Sequence, residues 1–419
     1  MSAVTADART PSAIPAMEPD THPDRWRMLA LLSLAELLGM SVWFAGSAVA
    51  PQLRAQWLLT DSQVGWLTTA VQLGFVLGTA VSALLNLADL IPGRTLFASA
   101  ALLGAASNAA LAVAPSFEWA LVTRVLTGCC MAGIYPPAMK MAATWFKARR
   151  GLAVGAVVGA LTVGKAGPYL AQAWPQVTVL GVVSASSLST LVAALVVWLG
   201  YRDGPYAFPP RRFSWNLVGA VAHQRPWRLA MGGYLGHMAE LYSYWTWIPA
   251  FLLASATAHG DAAGHRGLLG ALSFGVVAVG GVGCVWGGLV ADRIGREALV
   301  IRAMAISGSC AALIGLAFGR SWWLLAPLAL VWGFFVIADS AQFSVLVTES
   351  VPPDAVGTAL TIQTSLGFLL TTITIQLVPL VVARVGWAWG FAFLSIGPAL
   401  GIVAIRALLR DKQLGQPTR

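Results

Sequence analysis

The sequence predicts an all-α membrane protein in which twelve transmembrane helices form two six-helix bundles related by pseudo-two-fold symmetry. Three observations support this fold class: a low charge content, apolar runs of about 20 residues, and an internal repeat. Only 10% of the 419 residues are charged, 58% are hydrophobic, and the mean hydropathy is +0.73. Soluble domains carry about 25% charged residues, so this composition indicates a surface that faces lipid.

Apolar runs between charges and turn residues predict twelve spans, because a hydrocarbon core of about 30 Å needs about 20 apolar residues. The predicted spans are 28–50, 64–87, 95–114, 117–141, 151–171, 177–199, 229–254, 267–290, 298–318, 321–346, 357–382 and 386–409. They divide the chain into the following regions: a disordered cytoplasmic tail (1–27), a first bundle (28–200), a cytoplasmic linker rich in Pro and Arg (201–228), a second bundle (229–410) and a cytoplasmic tail (411–419).

The basic residues alternate between loops and predict the orientation. With the N-terminus inside, the cytoplasmic loops hold Arg94, Lys147, Arg149, Arg150, Arg202, Arg211, Arg212, Arg225, Arg228, Arg293 and Arg296. The outer loops hold Arg54, Arg266, Arg320 and Arg384. This bias predicts a multi-pass protein of the bacterial inner membrane with both termini in the cytoplasm. It also explains the net charge of +9 without a nucleic-acid partner.

The two predicted bundles share short matching segments, which indicates a tandem repeat. AELLGMSVWF (35–44) in span 1 matches AELYSYWTWI (239–248) in span 7. Further pairs recur at offsets of 203, 205 and 206: Asp89 with Asp292, Gly128 with Gly333, and Gly151 with Gly357. The nearly constant offset predicts that span 1 corresponds to span 7 and each later span to its equivalent.

Several motifs resemble those of the major facilitator superfamily. GLVADRIGRE (288–297) is similar to the signature between the second and third helices of each half, and it contains Gly288, Asp292, Arg293, Gly295 and Arg296 in the expected order. The first-half copy, NLADLIPGR (86–94), keeps Asp89 and Arg94 but has Leu90 in place of the Arg and one extra residue. RVLTG (124–128) is similar to the intramembrane Arg motif, and GKAGPYL (164–170) partly resembles an antiporter motif.

The resemblance implies a secondary transporter, not an enzyme, in which the two halves rock to give alternating access. The signature carboxylate Asp292 could pair with basic residues or with a helix N-terminus across the loop and so close the cytoplasmic side in one state. Alternatively, the signature residues are interfacial residues that end the spans. No nucleotide-binding motif is present, and the four cysteines lie in apolar runs without metal-ligand spacing. We therefore expect no cofactor, no metal and no nucleotide-binding subunit.

Six ionisable residues lie inside the predicted spans, where each costs about 2.5–3.5 kcal/mol on insertion scales. They are Glu36, Arg124, Lys165, His237, Glu240 and Asp339. Five of the six fall on spans 1, 4, 7 and 10, which the resemblance implies line the central cavity. This distribution is typical of a polar translocation path.

Helical spacing places bulky residues on the same faces as these charges. The predicted stripes are Glu36 with Trp43; Arg124 with Gly128, Met131 and Tyr135; His237 with Glu240, Tyr244 and Trp247; and Trp332 with Phe335 and Asp339. We interpret the four stripes as the lining of a solute cavity, with ordinary packing as the alternative. Pro136 and Pro137 are expected to break or bend span 4.

The charged residues have candidate roles in coupling and binding. Glu36 and Glu240 are repeat-related carboxylates that could exchange a proton, with His237 as a relay and Asp339 as a further candidate. Arg124 and Lys165 could together hold an anionic group. In the alternative, the carboxylates are permanently ionised structural partners of the two cations.

The sequence therefore predicts a proton-coupled secondary transporter, a symporter, for a small organic solute, with an organic anion as one candidate. An efflux antiporter for drug-like amphiphiles is the alternative, and a membrane-embedded sensor or enzyme is an alternative of another class. The expected partners are the solute, protons and membrane lipid, and we expect a monomer because one chain contains both halves.

Overall fold

A computed structural model of the protein describes residues 20–147, 149–173, 177–206, 215–260, 266–352 and 355–414. Twelve membrane-spanning helices are numbered in chain order: α1 Arg25–Gly39, α2 Asp61–Leu84, α3 Gly93–Ala110, α4 Phe117–Met131 with Tyr135–Ala143, α5 Arg150–Gln172, α6 Val179–Gly200, α7 Arg225–His259, α8 Arg266–Ile294, α9 Arg296–Leu313, α10 Trp322–Ala338 with Ser340–Glu349, α11 Val356–Val385 and α12 Ile396–Leu414. Shorter helices occupy Ala45–Ala48, Ala50–Trp57, Leu87–Leu90, Trp215–His223 and Trp387–Gly390.

Ten helical stretches of the described chain are long and apolar enough to cross a membrane. The other two are α1, a 15-residue helix that continues through a 3₁₀ turn and two short helices, and α7, a 35-residue helix with buried His237 and Glu240. These are spans 1 and 7 of the sequence, the two that begin the repeated halves. The predicted all-helical fold of twelve spans is confirmed.

The two halves, α1–α6 and α7–α12, have matching internal packing. In the first half α1 packs on α5 and α6, α2 on α4, and α3 on α6; in the second half α7 packs on α11 and α12, α8 on α10, and α9 on α12. The halves meet along two helix pairs, α5 with α8 and α2 with α11. The repeat in the sequence thus corresponds to a repeated set of helix–helix contacts within each half.

Two repeat-related glycines show why the offset is constant. Gly128 of α4 lies against the backbone of Val71 in α2, and Gly333 of α10 lies against the backbone of Val276 in α8. A Cβ at either glycine would overlap the carbonyl oxygen of its neighbour. Both crossings therefore depend on a small residue at the contact.

Interruptions in α1, α4 and α10 matter for the site. α1 passes into a 3₁₀ turn at Met40–Val42, and α4 stops at Met131 and resumes at Tyr135, with proline in its first turn. The predicted break at Pro136 and Pro137 is thus present. α10 is interrupted at Asp339, where the sequence contains neither Gly nor Pro. Interrupted helices free backbone carbonyls, which need buried donors.

The α5–α8 pair is tightly packed from its middle to the end that the positive-inside rule places outside; we call the two ends inner and outer. A Cβ at Gly159 would lie 2.9 Å from the carbonyl oxygen of Gly281. On α5, Gly155 and Gly151 precede Gly159 by four and eight residues and lie on the same face towards the inner end. On α8, Gly288 follows Gly281 by seven residues, also towards the inner end. A Cβ at any of these three would have no neighbour within 4 Å. The two helices therefore diverge towards the inner side.

The predicted linker 201–228 is partly helical. Trp215–His223 forms a helix and α7 already begins at Arg225, whose guanidinium binds Asp411 at 2.7 Å. Residues 207–214 of the linker lie outside the described residues, as do 1–19 and 415–419 of the predicted tails. The bounds of the linker and tails remain predictions.

Candidate functional site

Lys165 lies between the two halves in a cage of aromatic rings. Its Nζ donates to the Tyr242 hydroxyl at 2.6 Å and lies 4.1 Å from the centre of the Trp43 ring and 5.4 Å from that of Trp245. Tyr242 and Trp245 belong to α7 of the second half, whereas Lys165 is on α5 of the first. The side chain is 2% exposed. The contacts are therefore a neutral hydroxyl and π faces, which stabilise a cation without neutralising its charge.

The aromatic residues around Lys165 come from four helices. Trp43 lies 5.3 Å from Phe75 of α2 and 5.7 Å from Phe368 of α11, measured between ring centres. Phe75 and Phe368 are 4.6 Å apart, and Tyr242 is 5.1 Å from Phe368. We call these four rings, Trp43, Phe75, Tyr242 and Phe368, the interface ring cluster. Its members come equally from the two halves, so the cluster lies at the contact between them.

Glu36 on α1 is a fully buried carboxylate, 0% exposed. Neither of its oxygens has a hydrogen-bond partner among the described residues. The charged group with which it interacts electrostatically is Lys165, and Tyr135, stacked 6.3 Å from Phe75, is a further electrostatic neighbour. Glu36, Lys165, Trp43 and Tyr135 are thus four predicted site residues that the fold brings together.

Arg124, also 0% exposed, is placed differently. Its Nη2 donates to the carbonyl oxygens of Val42 (2.9 Å) and Trp43 (2.6 Å), which the interruption of α1 leaves free. Its Nη1 donates to Asn108 at 2.9 Å. Asn108 in turn reaches Ser187 of α6 at 2.9 Å. The guanidinium therefore joins the broken α1 to α3 and α6, and most of its donors are already used.

The polar groups on the predicted face of α7 bond within the second half, although the Trp247 ring also packs against Gly65 of the first half. The role of this stripe in lining a solute cavity remains a prediction. Glu240 accepts from Ser307 of α9 (2.8 Å) and from Trp332 of α10 (2.7 Å). Tyr244 donates to the carbonyl of Ala329 at 2.7 Å, and Trp247 donates to that of Ile375 at 2.8 Å. All these partners belong to the second half. α7 therefore satisfies these polar groups in its own bundle, where neighbouring helices supply donors and acceptors.

His237 and Asp339 form a buried pair within the second half. The Nδ1 of His237 lies 2.9 Å from Oδ1 of Asp339, with each side chain 2% exposed. The pair lacks hydrogen-bond alignment, and the Nε2 of His237 has no partner in the described chain. Phe343 covers the imidazole at 5.2 Å between ring centres. The interruption of α10 places Asp339 at this position.

Tyr242 and Trp245 are the α7 residues that sequence reasoning missed. The segment AELYSYWTWI has aromatic residues on both faces of the helix, so periodicity could not show which face meets the first half. Phe75 and Phe368 were also missed, because single Phe residues in apolar spans carry no signal. A buried lysine needs rings or hydrogen-bond acceptors nearby. Lys165 was therefore the only sequence signal for these aromatic residues.

A polar contact closes the outer end of the α2–α11 pair. The side-chain amide of Gln376 lies 2.8 Å from the hydroxyl of Ser62 and 3.1 Å from that of Thr69. These hydrogen bonds join the halves, and the Trp247 ring packs beside them against Gly65. We call Ser62, Thr69 and Gln376 the outer latch. Together with the divergence of α5 and α8, it describes halves that are joined at the outer end and less tightly packed towards the inner end.

The signature residues lie at the inner ends. Asp89 pairs with Lys140, and Arg94 lies 5.2 Å from the Trp198 ring; Gly288, Asp292 and Arg293 are near or at the end of α8, and the two charged side chains are exposed. Gly295 has a positive φ of 89°, and Arg296 pairs with Glu349 at 2.6 Å. Each of these ion pairs lies within one half. The gating role of the signature remains a prediction.

Groups of three or more His, Cys, Asp or Glu that could hold a metal ion are absent from the described residues. The four cysteines are free thiols, two of them buried.

Comparisons with known proteins agree with this architecture. The sequence model of the Major Facilitator Superfamily matches residues 31–375. The chain is similar to two crystal structures of a bacterial homologue of the human lysosomal transporter Spinster in inward-facing conformations. The unoccupied form has a TM-score of 0.69 at 17% identity, covering 93% of this chain and 99% of that one. The occupied form has a TM-score of 0.68 at 15% identity, covering 94% and 98%.

A shorter likeness connects the chain to a curated relative, the niacin transporter NiaP of Acinetobacter baylyi. The two are 32% identical over 92 residues, which is 22% of this chain and 20% of the relative. The match thus spans only a fifth of that protein's length. The family match covers most of the chain, and the chain belongs to the Major Facilitator Superfamily as a multi-pass membrane transporter rather than an enzyme.

Proposed function

We propose that this transporter moves a small organic anion together with a proton, and that Lys165 binds the anionic group. The observation that carries the proposal is the position of Lys165, a buried cation between the halves whose contacts are rings and a hydroxyl. A charge inside a membrane protein needs a functional or structural reason. Arg124 has a structural one in its backbone contacts, whereas Lys165 has no ion-pair contact among the described residues and lies where the two halves meet.

Glu36 supplies the coupling in this proposal. With no solute bound, ionised Glu36 balances the charge of Lys165 through their electrostatic interaction. When the solute's anionic group binds Lys165, Glu36 takes up a proton and becomes neutral. The buried site then holds one positive and one negative charge in both states, so anion and proton move together. The two unpartnered carboxylate oxygens leave Glu36 free to change its protonation state.

Alternating access follows from the two contacts between the halves. Opening to the outside requires loss of the outer latch and closure of the diverging inner ends of α5 and α8. The interface ring cluster, shared by both halves, separates or closes around the solute as they rock. The short likeness to a niacin transporter makes aromatic monocarboxylates the first compounds to try.

Counterflow in proteoliposomes tests the proposal. Vesicles with purified protein are loaded with nicotinate, benzoate, lactate or succinate, and uptake of the same labelled acid is measured against protein-free vesicles. We expect saturable exchange of at least one acid, lost in Lys165→Met. Glu36→Gln should retain exchange but lose uptake driven by a pH gradient. Glu240→Gln is the matched control, because its carboxylate is hydrogen-bonded within the second half, and it should keep both activities.

Two outcomes overturn the proposal. One is the absence of lysine-dependent exchange for every acid tested. The other is extrusion of a cationic dye such as ethidium that survives Lys165→Met, which would favour the efflux alternative.

The proposed setting is the bacterial inner membrane, with a monomer and both termini in the cytoplasm. A protease site appended to the C-terminus should then be cut in inside-out vesicles and protected in right-side-out ones.

A further inference from the structure

The α2–α11 pair contains a buried amide side chain, that of Gln72, which belongs to neither the outer latch nor the interface ring cluster. Gln72 of α2 follows Thr69 by three residues and precedes Phe75 by three. Each step is about 60° around the helix and about 4.5 Å along it. Thr69 contacts Gln376 of α11, and Phe75 contacts Phe368 of α11. Gln72 therefore lies along the same junction between the halves, between the outer latch and the interface ring cluster.

The side chain of Gln72 is 0% exposed. Both its Oε1 and its Nε2 lack a hydrogen-bond partner within the part of the chain that the structure describes. Leaving one such group unpaired when buried costs about 1–3 kcal/mol. A buried amide with both atoms unpaired, at a junction that opens during transport, is therefore suited to bonding a molecule that arrives there.

One ring of the interface ring cluster carries a further unpaired polar atom. The Nε1 of Trp43 is buried and lacks a partner among the described residues. Trp43 also forms the closest ring contact of Lys165. The interface thus combines one cation, several flat rings, and neutral donors and acceptors. A long-chain fatty acid would leave these neutral groups unpaired.

We propose that Gln72 hydrogen-bonds a neutral polar group of the solute, and that the solute is a planar carboxylate carrying such a group. The inference rests on the proposed function, in which Lys165 binds the carboxylate. Trp43 contacts both Lys165 and Phe75, and Phe75 follows Gln72 by about one turn of α2. A planar body that stacks on these two rings can therefore extend towards both residues. Gln72 then selects among acids that Lys165 alone would accept equally.

Three compounds of nearly the same shape separate the two recognition elements. Nicotinate has a carboxylate and a ring nitrogen, benzoate has only the carboxylate, and nicotinamide has the ring nitrogen without the charge. Binding of each to purified protein is measured by calorimetry at a fixed pH. We expect nicotinate to bind about fivefold to tenfold more tightly than benzoate, the value of one neutral hydrogen bond, and nicotinamide to bind least.

Variants then assign the preference to a residue. Gln72→Leu should lower nicotinate affinity to that of benzoate while benzoate affinity stays unchanged, which also shows that the variant is folded. Gln363→Leu is the matched control. Gln363 is 2% exposed and its amide is also unpartnered in the described chain, but it lies one turn from Gly367, which faces Tyr234 of the second half. It should keep the nicotinate preference.

The outcomes distinguish this inference from the function on which it rests. Equal affinity for nicotinate and benzoate, or a preference that survives Gln72→Leu, overturns the role of Gln72 and leaves Lys165 intact. Nicotinamide binding as tightly as nicotinate overturns anion recognition itself. Failure of both acids to bind at millimolar concentration shows that the solute is not a planar acid, and it overturns the inference while counterflow of lactate or succinate would still support the proposed function.

Discussion

Replacing Gln376 with leucine should shift the protein towards a state that is open on the outside. Leucine has nearly the volume of glutamine but cannot bond the hydroxyls of Ser62 and Thr69, which lie 2.8 and 3.1 Å from the amide. A neutral hydrogen bond contributes about 1 kcal/mol net. Loss of two costs the outer-closed state about 2 kcal/mol, which changes the ratio of the two states by about 30-fold.

The shift is measurable as a change in distance between the outer ends of the halves. Spin labels at Gln56, on the short helix before α2, and at Arg320, before α10, occupy exposed positions of the two halves. Double electron–electron resonance should show that the ratio of the longer-distance to the shorter-distance population increases by about the same factor in Gln376→Leu. Ser273→Ala is the control, because the Ser273 hydroxyl bonds only the carbonyl of its own helix at Leu269 in the described contacts.

The reasoning fails if Gln376→Leu leaves the distance distribution unchanged. It also fails if the variant favours the shorter distance, since the latch would then stabilise the opposite state. A matching change in Ser273→Ala would indicate general loosening of the bundle and not loss of a specific contact.

Three further predictions follow from individual contacts. Arg124→Lys should lower stability by about 3 kcal/mol or more, measured as a fall in thermal unfolding temperature, because an ammonium group cannot reach Asn108 and the α1 carbonyls together; near wild-type stability would contradict this. Ser307→Ala removes one of the two donors to Glu240 and should destabilise the protein by about 1.5–3 kcal/mol in a denaturant titration, with pH-driven uptake retained; loss of uptake without loss of stability would make Glu240 a coupling residue. Lys140→Ala, which breaks a partly exposed pair with Asp89, should change stability by less than about 1 kcal/mol in the same titration, and a larger loss would show a role that the ion pair does not explain.

The overall fold could be predicted because its signals are local. The length of the apolar runs defines the spans. Residues that recur at a nearly constant offset, such as Gly128 and Gly333, define the two halves. The Pro136–Pro137 pair predicted the break in α4, since proline cannot continue the hydrogen-bond ladder. The interruptions at Met40 and Asp339 could not be predicted in this way, because neither contains a proline. They depend on tertiary partners.

The candidate site could be predicted only in part. Helical period shows which residues share a face, but not which neighbouring helix that face contacts. The bonds of Glu240 within the second half were therefore not foreseen, and Tyr242 and Trp245 were not found. Arg124 and Lys165 look alike in the sequence, as buried cations in outer halves of spans. Their difference comes from the freed carbonyls of α1, which only the three-dimensional arrangement brings to Arg124.

Proton uptake on anion binding is the most direct measure of coupling between Lys165 and Glu36. Nicotinate is added to purified protein in weakly buffered solution containing a pH indicator, at a pH where Glu36 is ionised before the anion binds. The account predicts about one proton taken up for each anion bound, because binding of the two is linked. Glu36→Gln should bind the anion without proton uptake, and Lys165→Met should do neither. Undiminished uptake in Glu36→Gln, or wild-type affinity for the anion in Lys165→Met, would contradict the account.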